Sequence, residues 1–465
     1  VLESVHQASA YTADVQPADV VIVGAGAAGL AAAHHLTRAG LTTAVLEAAP
    51  NVGGRMSTEK VDGFRLDRMG QLLSTAYPEL RSTPGLDALP LREFSPGVLV
   101  HSDGHLHRVG EPGTPRSARG ALTAARALAS APRQQRTPRA PRTQGASRPG
   151  LLGSPVGQSR LAGALARLAA TPPDRLLSRP ELPAARALST LGLPPRTTDG
   201  FLRPLLAALL CDPALETSSR CADLALRAFV TGRLCVPEGG ADVLPELLAA
   251  TLPPGTVHTG VRVTAVSTTS VTTKDHGELR CRAVLLATGA RAAARLLPGL
   301  RVPGFHPVTV LHHTTDEPPL GDPALLLDAE RGGPVAHTAV ISRVDPSRAP
   351  AGRALVSSTV LGTPPPPDRL EAAVRAQLAR LYRTSTARWE LLAIHHDSEA
   401  VPAMPPPHDL RRPVRLLAGL YICGDHRDTS TVQGALRSGR RAAHALLTDV
   451  GAGQTSLEEP LETAA

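Results

Sequence analysis

Residues 19–23 form a short run of branched apolar side chains, the mark of a buried strand. GAGAAG follows at residues 24–29, then an apolar stretch of helical length at 30–39, with Gly40 where a C-cap is expected. Residues 42–46 are a second buried run and end on Glu47, completing a βαβ unit of about 30 residues. The first 17 residues carry no periodicity. From 161 to 252 leucine and alanine dominate, and prolines at 172, 183, 194, 204 and 213 predict several short helices. Residues 257–273 alternate like strands, and 283–287 is a buried strand entering ATGARAAARLL, a strand-turn-helix. Residues 301–361 read as strands of another sheet. An amphipathic helix is expected at 368–383, capped by Asp368, with Leu370, Val374, Leu378 and Leu381 on one face. The chain closes with a strand at 420–423, the loop GDHRDTST, and a helix whose apolar face holds Leu436, Ala443 and Leu447.

At 465 residues, 42% of them apolar, the chain suffices for two domains. No apolar run reaches the roughly 20 residues of a membrane span, and no basic segment followed by an apolar stretch marks the N-terminus. Five cysteines without a C-x-x-C pair predict free thiols, and with them a cytoplasmic protein. The net charge of +8 comes almost wholly from arginine, since Lys60 and Lys274 are the only lysines. Ten aromatics and no nucleic-acid module argue against a nucleic-acid partner. Nine arginines and one acid, Glu111, fall between 108 and 148. Within that window residues 130–149 are expected to be a basic, solvated, flexible loop; a basic lid facing an anionic partner is the other reading.

The G-x-G-x-x-G sits between a strand and a helix, the context that dinucleotide binding requires. Gly24 permits the tight turn, Gly26 lets the backbone approach a pyrophosphate, and Gly29 lets helix and strand pack closely. Glu47 ends the second strand, where a carboxylate can accept ribose hydroxyls and repel a 2′-phosphate. Downstream, Gly53 and Gly54 allow a second close approach, and Arg55 can neutralise phosphate charge.

Together with its ends, the chain resembles the flavin amine oxidase, protoporphyrinogen oxidase and phytoene desaturase superfamily. The N-terminal signature reads VVIVGAGAAGLAAAHHLTRAGLTTAVLEAAPNVGGR and the C-terminal one YICGDHRDTSTVQGALRSGRRAA. The resemblance covers most of residues 18–448 and implies FAD. It implies that Gly24, Gly26, Gly29, Glu47, Gly53, Gly54 and Arg55 hold adenosine and pyrophosphate, and that the Val263 backbone pairs with adenine. Gly424 belongs to the cofactor-binding GD motif, whose Asp425 would bond the ribitol or a phosphate-bound water, and Val432, Gln433 and Gly434 would begin a helix facing the flavin. The amine-oxidising members use a lysine near the flavin, and no lysine follows Lys274 here. They also place an aromatic after the GD motif, and none occurs from 426 to 439. Some carry a covalently linked cysteine after that glycine; Cys423 precedes it, so FAD is expected to be non-covalent. Simple monoamine oxidation is therefore not expected.

Candidates for the chemistry are Gln71, His396 of the His-His-Asp run 395–397, and His426. No metal spacing is present. The expected fold is α/β: a discontinuous Rossmann-like FAD domain (17–105, 235–300, 408–450) with a second α+β substrate domain (106–234, 301–407). The expected function is removal of hydride from a carbon of an apolar substrate of polyene, tetrapyrrole or secondary-metabolite type. Oxygen, a quinone or another acceptor would reoxidise the flavin, since no second G-x-G-x-x-G is present. Peripheral membrane contact stays open. The alternatives are a redox-neutral isomerase or cyclase, and a flavin-binding scaffold without turnover.

Overall fold

The computed structural model describes residues 18–110 and 155–457, so the loop expected at 130–149 lies outside the described residues. Its organising element is a six-stranded sheet in the order Val257–Thr259, Thr43–Glu47, Val20–Val23, Ala283–Leu286, Leu420–Ile422, Arg415–Leu417. The first five strands run parallel, and Val20 pairs with both Thr43 and Ala283. Every residue of Val20–Val23 is buried, as a central strand covered on both faces requires.

Helix Ala27–Arg38 starts three residues before the expected position, because the glycine loop needs only Gly24 (φ 111°) to reverse the chain. It packs so closely that a Cβ on Gly29 would stand 2.1 Å from the Gly24 carbonyl oxygen. The closing helix, Val432–Leu457, lies against it with equal intimacy. A Cβ on Gly439 would approach the Ala28 carbonyl oxygen to 2.3 Å. The two chain ends are thus fastened backbone to backbone, with Leu30, Leu36, Leu436 and Leu446 buried around the contact.

A second, seven-stranded sheet runs Glu390–Pro402, Phe305–Thr315, Ala354–Leu361, Val335–Val340, Leu326–Asp328, Val98–Ser102, His105–Val109. The last two strands differ from the boundary expected at residue 105. Val98–Ser102 pairs in parallel with Leu326–Asp328 and so joins the second sheet. Alternation marks a strand but not its partner. Helix Pro367–Tyr382 covers one face of this sheet through Leu370, Val374, Leu378 and Leu381. Its N-cap position is Pro366, and Asp368 sits in the first turn instead of capping.

Helices between Pro155 and Thr231 cover the other face and share a core with Phe64, Phe94, Leu325 and Leu355. Pro204 does not break this region as expected. The π-turn Thr198–Leu202 runs straight into helix Arg203–Leu210, and its wider turn accommodates the proline ring. Among the described residues no helix is long and apolar enough to cross a membrane.

Candidate functional site

A cleft of about 310 Å³ runs along the carboxyl ends of the parallel strands, where doubly wound sheets bind ligands. Its walls come from both chain ends: Gly24, Gly26, Glu47, Gly53, Gly54 and Arg55 on one side, Gly424, Asp425 and Val432 on the other. The two glycine turns are tied together, for the Gly53 N–H donates to the Ala25 carbonyl over 2.9 Å. Glu47 is aimed by two backbone donors, Ala25 N–H and Ala49 N–H, each at 2.9 Å. Each carboxylate oxygen has lone-pair capacity left for a further donor.

Arg55 joins the two signatures. Its guanidinium meets the Asp425 carboxylate at 2.6 Å and donates to the Ala400 carbonyl at 2.7 Å. Burial works against its charge, but the Asp425 carboxylate more than offsets this and raises the pKa. The Arg55 side chain remains 35% exposed toward the cleft, enough to meet an anion.

These residues fit a dinucleotide. A Cβ built on Gly26 meets no atom within 4 Å, so the backbone there faces open cleft space at the start of a helix. The Thr288 hydroxyl is buried, has no partner among the described residues, and lines the same cleft. Thr288 and Gly289 belong to the ATG turn; sequence reading recognised that turn as a strand-turn-helix but assigned it no role.

The remaining cofactor candidates sit elsewhere. Gly29 and Gly434 serve packing: a Cβ on Gly434 would lie 1.9 Å from the Thr429 carbonyl oxygen. Val263 lies in the strand Val263–Val266 opposite Thr273 and does not line the cleft. Gln433 turns away from the cleft, accepting the Glu79 N–H at 3.0 Å and lining a second cavity.

The three candidates for chemistry separate. Gln71 lines the cleft and donates to the Ser430 carbonyl at 3.3 Å. It also borders a small pocket of about 50 Å³ lined in part by His312, His337 and Thr359. His426 is buried behind Gly424, where burial lowers its pKa to about 4 and neither ring nitrogen finds a partner among the described residues. His396 is exposed on Glu390–Pro402, bonded to the Thr309 hydroxyl at 2.9 Å, and borders neither the cleft nor the cavities beside it. Its neighbour His395 is the buried one. Strand alternation sends the two rings to opposite faces.

Thr431, just before the closing helix, borders both the cleft and the second cavity. That cavity, about 280 Å³, is walled by Leu72, Leu177, Leu210, Leu224, Phe229 and Met404. Its polar edge carries Glu79 and Arg440, joined by two hydrogen bonds of 3.0 and 2.5 Å. Sequence reading assigned no role to Glu79, nor to Thr431 and Arg440, although the last two lie within the C-terminal signature. Cys423 is fully buried in the core beneath the sheet, and burial raises its thiol pKa. One cluster outside the site, His101, Asp328 and Glu330, brings metal-ligand-type atoms within 4.8 Å of one another. Arg380 already bonds all three, at 3.4, 2.6 and 2.9 Å.

The family model of flavin containing amine oxidoreductases matches residues 27–447. Putrescine oxidase of Kocuria rosea is 44% identical over 92 residues, 19% of each chain. Hydroxysqualene dehydroxylase of Rhodopseudomonas palustris is 32% identical over 171 residues, 36% of this chain and 38% of that one. Each alignment thus spans well under half of the curated relative. An oxidoreductase from Methanosarcina mazei superposes with a TM-score of 0.68 at 17% identity, covering 92% of this chain and 99% of the other. At that identity the likeness speaks for the fold alone.

Proposed function

The chain belongs to the flavin-containing amine oxidoreductases, and on that premise we propose that it is an FAD-dependent oxidoreductase oxidising a carbon of an apolar substrate. The carrying observation is the leucine-lined cavity that meets the cofactor cleft at Thr431. Bound FAD would supply the acceptor for a hydride leaving substrate carbon, and the double bond to carbon or nitrogen forms as a proton leaves the neighbouring atom to water.

The chain's own residues bind, orient and exclude water. Gly24, Gly26, Glu47, Gly53, Gly54 and Arg55 hold the dinucleotide, with the helix start at Gly26 favouring its phosphates. Asp425 fixes Arg55. The first amides of Val432–Leu457 face the opposite end of the cleft, where a helix N-terminus stabilises negative charge. We propose that FAD is held without a covalent bond, because Cys423 lies in the core and outside the cleft. Leu72, Leu224, Phe229 and Met404 keep water from the substrate. Gln71 is placed to orient substrate or a water at the cleft.

Simple amine oxidation fits poorly. No lysine follows Lys274, and the residue shared by cavity and cleft is Thr431 where an amine cage would set an aromatic; the cavity's own aromatics are Tyr77 and Phe229. The test is anaerobic photometry of the FAD-loaded protein. Benzylamine, tyramine and spermine are expected to leave the flavin oxidised, while an apolar compound with an activated C–H bleaches it. Rapid bleaching by any of the three amines, with imine or aldehyde product, would overturn the substrate reading.

A further inference from the structure

The leucine-lined cavity has a charged rim, and its ion pairs leave one side of the ledger open. Three acids border it. Glu79 is 2% exposed and fully engaged by Arg440. Asp428 is 1% exposed and shared by two arginines, Arg437 at 3.6 Å and Arg441 at 3.3 Å. Asp174 lies at the outer edge, 88% exposed, with Arg411 at 3.6 Å. Among the described residues no inner carboxylate is left to receive an ammonium group.

The cations are not all engaged. Arg227 borders the cavity half-buried and makes no ion pair among the described residues. Its Nε donates to the Thr171 carbonyl at 3.0 Å, which anchors the guanidinium. The two terminal nitrogens form the fork that matches a carboxylate.

Arg227 stands at the end away from the cleft. It lies on helix Ser219–Thr231, whose Cys221 end packs against Met404, and the Met404 sulfur accepts the Ser430 N–H beside Thr431. Six residues of helix separate Cys221 from Arg227, about 9 Å. Between them Leu224 and Ala225 give the cavity an apolar flank.

We infer that the cavity takes an apolar substrate ending in a carboxylate, held by Arg227, which stands about 9 Å along its helix from Cys221. Molecules bearing an ammonium group at that end are rejected. The inference rests on the reading of this cavity as the substrate site. Its test therefore reads binding and not turnover.

FAD-loaded protein is titrated calorimetrically with three probes of one skeleton: 4-phenylbutyrate, 4-phenylbutanol and 4-phenylbutylamine. The acid is expected to bind at least tenfold more tightly than the alcohol, and the amine more weakly than either. Arg227→Gln should abolish the acid's advantage and leave the alcohol within twofold, while Arg227→Lys retains part of it. An acid that binds no better than the alcohol overturns the inference. So does an Arg227→Gln loss equal for all three probes, which a merely structural arginine would give. Absence of binding by every probe overturns it too, even if some other compound reduces the flavin. Conversely, the expected order of affinities in a protein whose flavin no compound reduces would sink the oxidoreductase reading and leave this one standing.

Discussion

Gly26→Ala should separate folding from cofactor binding, and Gly29→Ala, three residues away, should not. Gly26 has φ −80° and ψ 176°, values open to any residue, and a Cβ there meets nothing within 4 Å. It is the N-cap of helix Ala27–Arg38. Alanine at an N-cap costs about 0.5–1 kcal/mol relative to a favourable cap. Removing a glycine's freedom from the unfolded chain returns about 0.4–1 kcal/mol. The two nearly cancel, so the FAD-free variant should melt within about 2 °C of the parent. The methyl group nonetheless occupies the space through which backbone amides reach a phosphate. Loss of one charge-assisted hydrogen bond, about 1.5–3 kcal/mol, weakens FAD roughly 10- to 150-fold. At Gly29 the added carbon sits 2.1 Å from the Gly24 oxygen and 2.9 Å from the Ala287 Cβ. Overpacking of that kind costs about 1–3 kcal/mol or more, and the FAD-free protein should melt lower. Thermal melts of stripped protein and flavin-fluorescence titrations give both numbers. Wild-type FAD affinity in Gly26→Ala would refute the phosphate cradle, and a melt as low as that of Gly29→Ala would refute the open-space argument.

Three further outcomes are expected. Glu47→Ala removes the acceptor of Ala25 N–H and Ala49 N–H and the proposed ribose partner; FAD should bind roughly 10- to 150-fold more weakly by fluorescence titration, and unchanged affinity would free Glu47 of that role. Acid precipitation should leave all FAD in the supernatant and none in the pellet, because the Cys423 thiol is buried outside the cleft. His337 is 5% exposed, its Nδ1 has no partner, and burial lowers its pKa to about 4. A base whose folded pKa is depressed contributes stability that is complete above about pH 6.5 and falls, as pH drops toward 4, by about 1.4 kcal/mol per unit. His337→Leu should therefore lose less melting temperature between pH 7.5 and 5 than the parent, and an identical loss in both would mean that His337 is already charged in the fold.

The sequence by itself determined whatever depends on local backbone demands. A buried strand followed by GAGAAG and an apolar helix has few other solutions, because Gly24 must adopt φ 111° and Gly29 must admit a carbonyl at contact distance. Glu47 at the end of the next strand, and the GD loop before an amphipathic helix, were legible for the same reason. Only the tertiary structure decided who faces whom. Residues 98–102 were expected to belong with the first domain, but the strand Val98–Ser102 pairs with Leu326–Asp328 across more than 200 residues of chain. His395 and His396 are neighbours in sequence, yet the pleat buries one and exposes the other, a difference that a one-residue shift of register would reverse. The second cavity is the extreme case. Glu79, Arg227 and Met404 come from segments distant from the one that carries Thr431 and Arg440, and each alone reads as an ordinary side chain. Their juxtaposition arises from the packing of helices onto the sheet, and no periodicity encodes which charged group ends without an ion pair among the described residues.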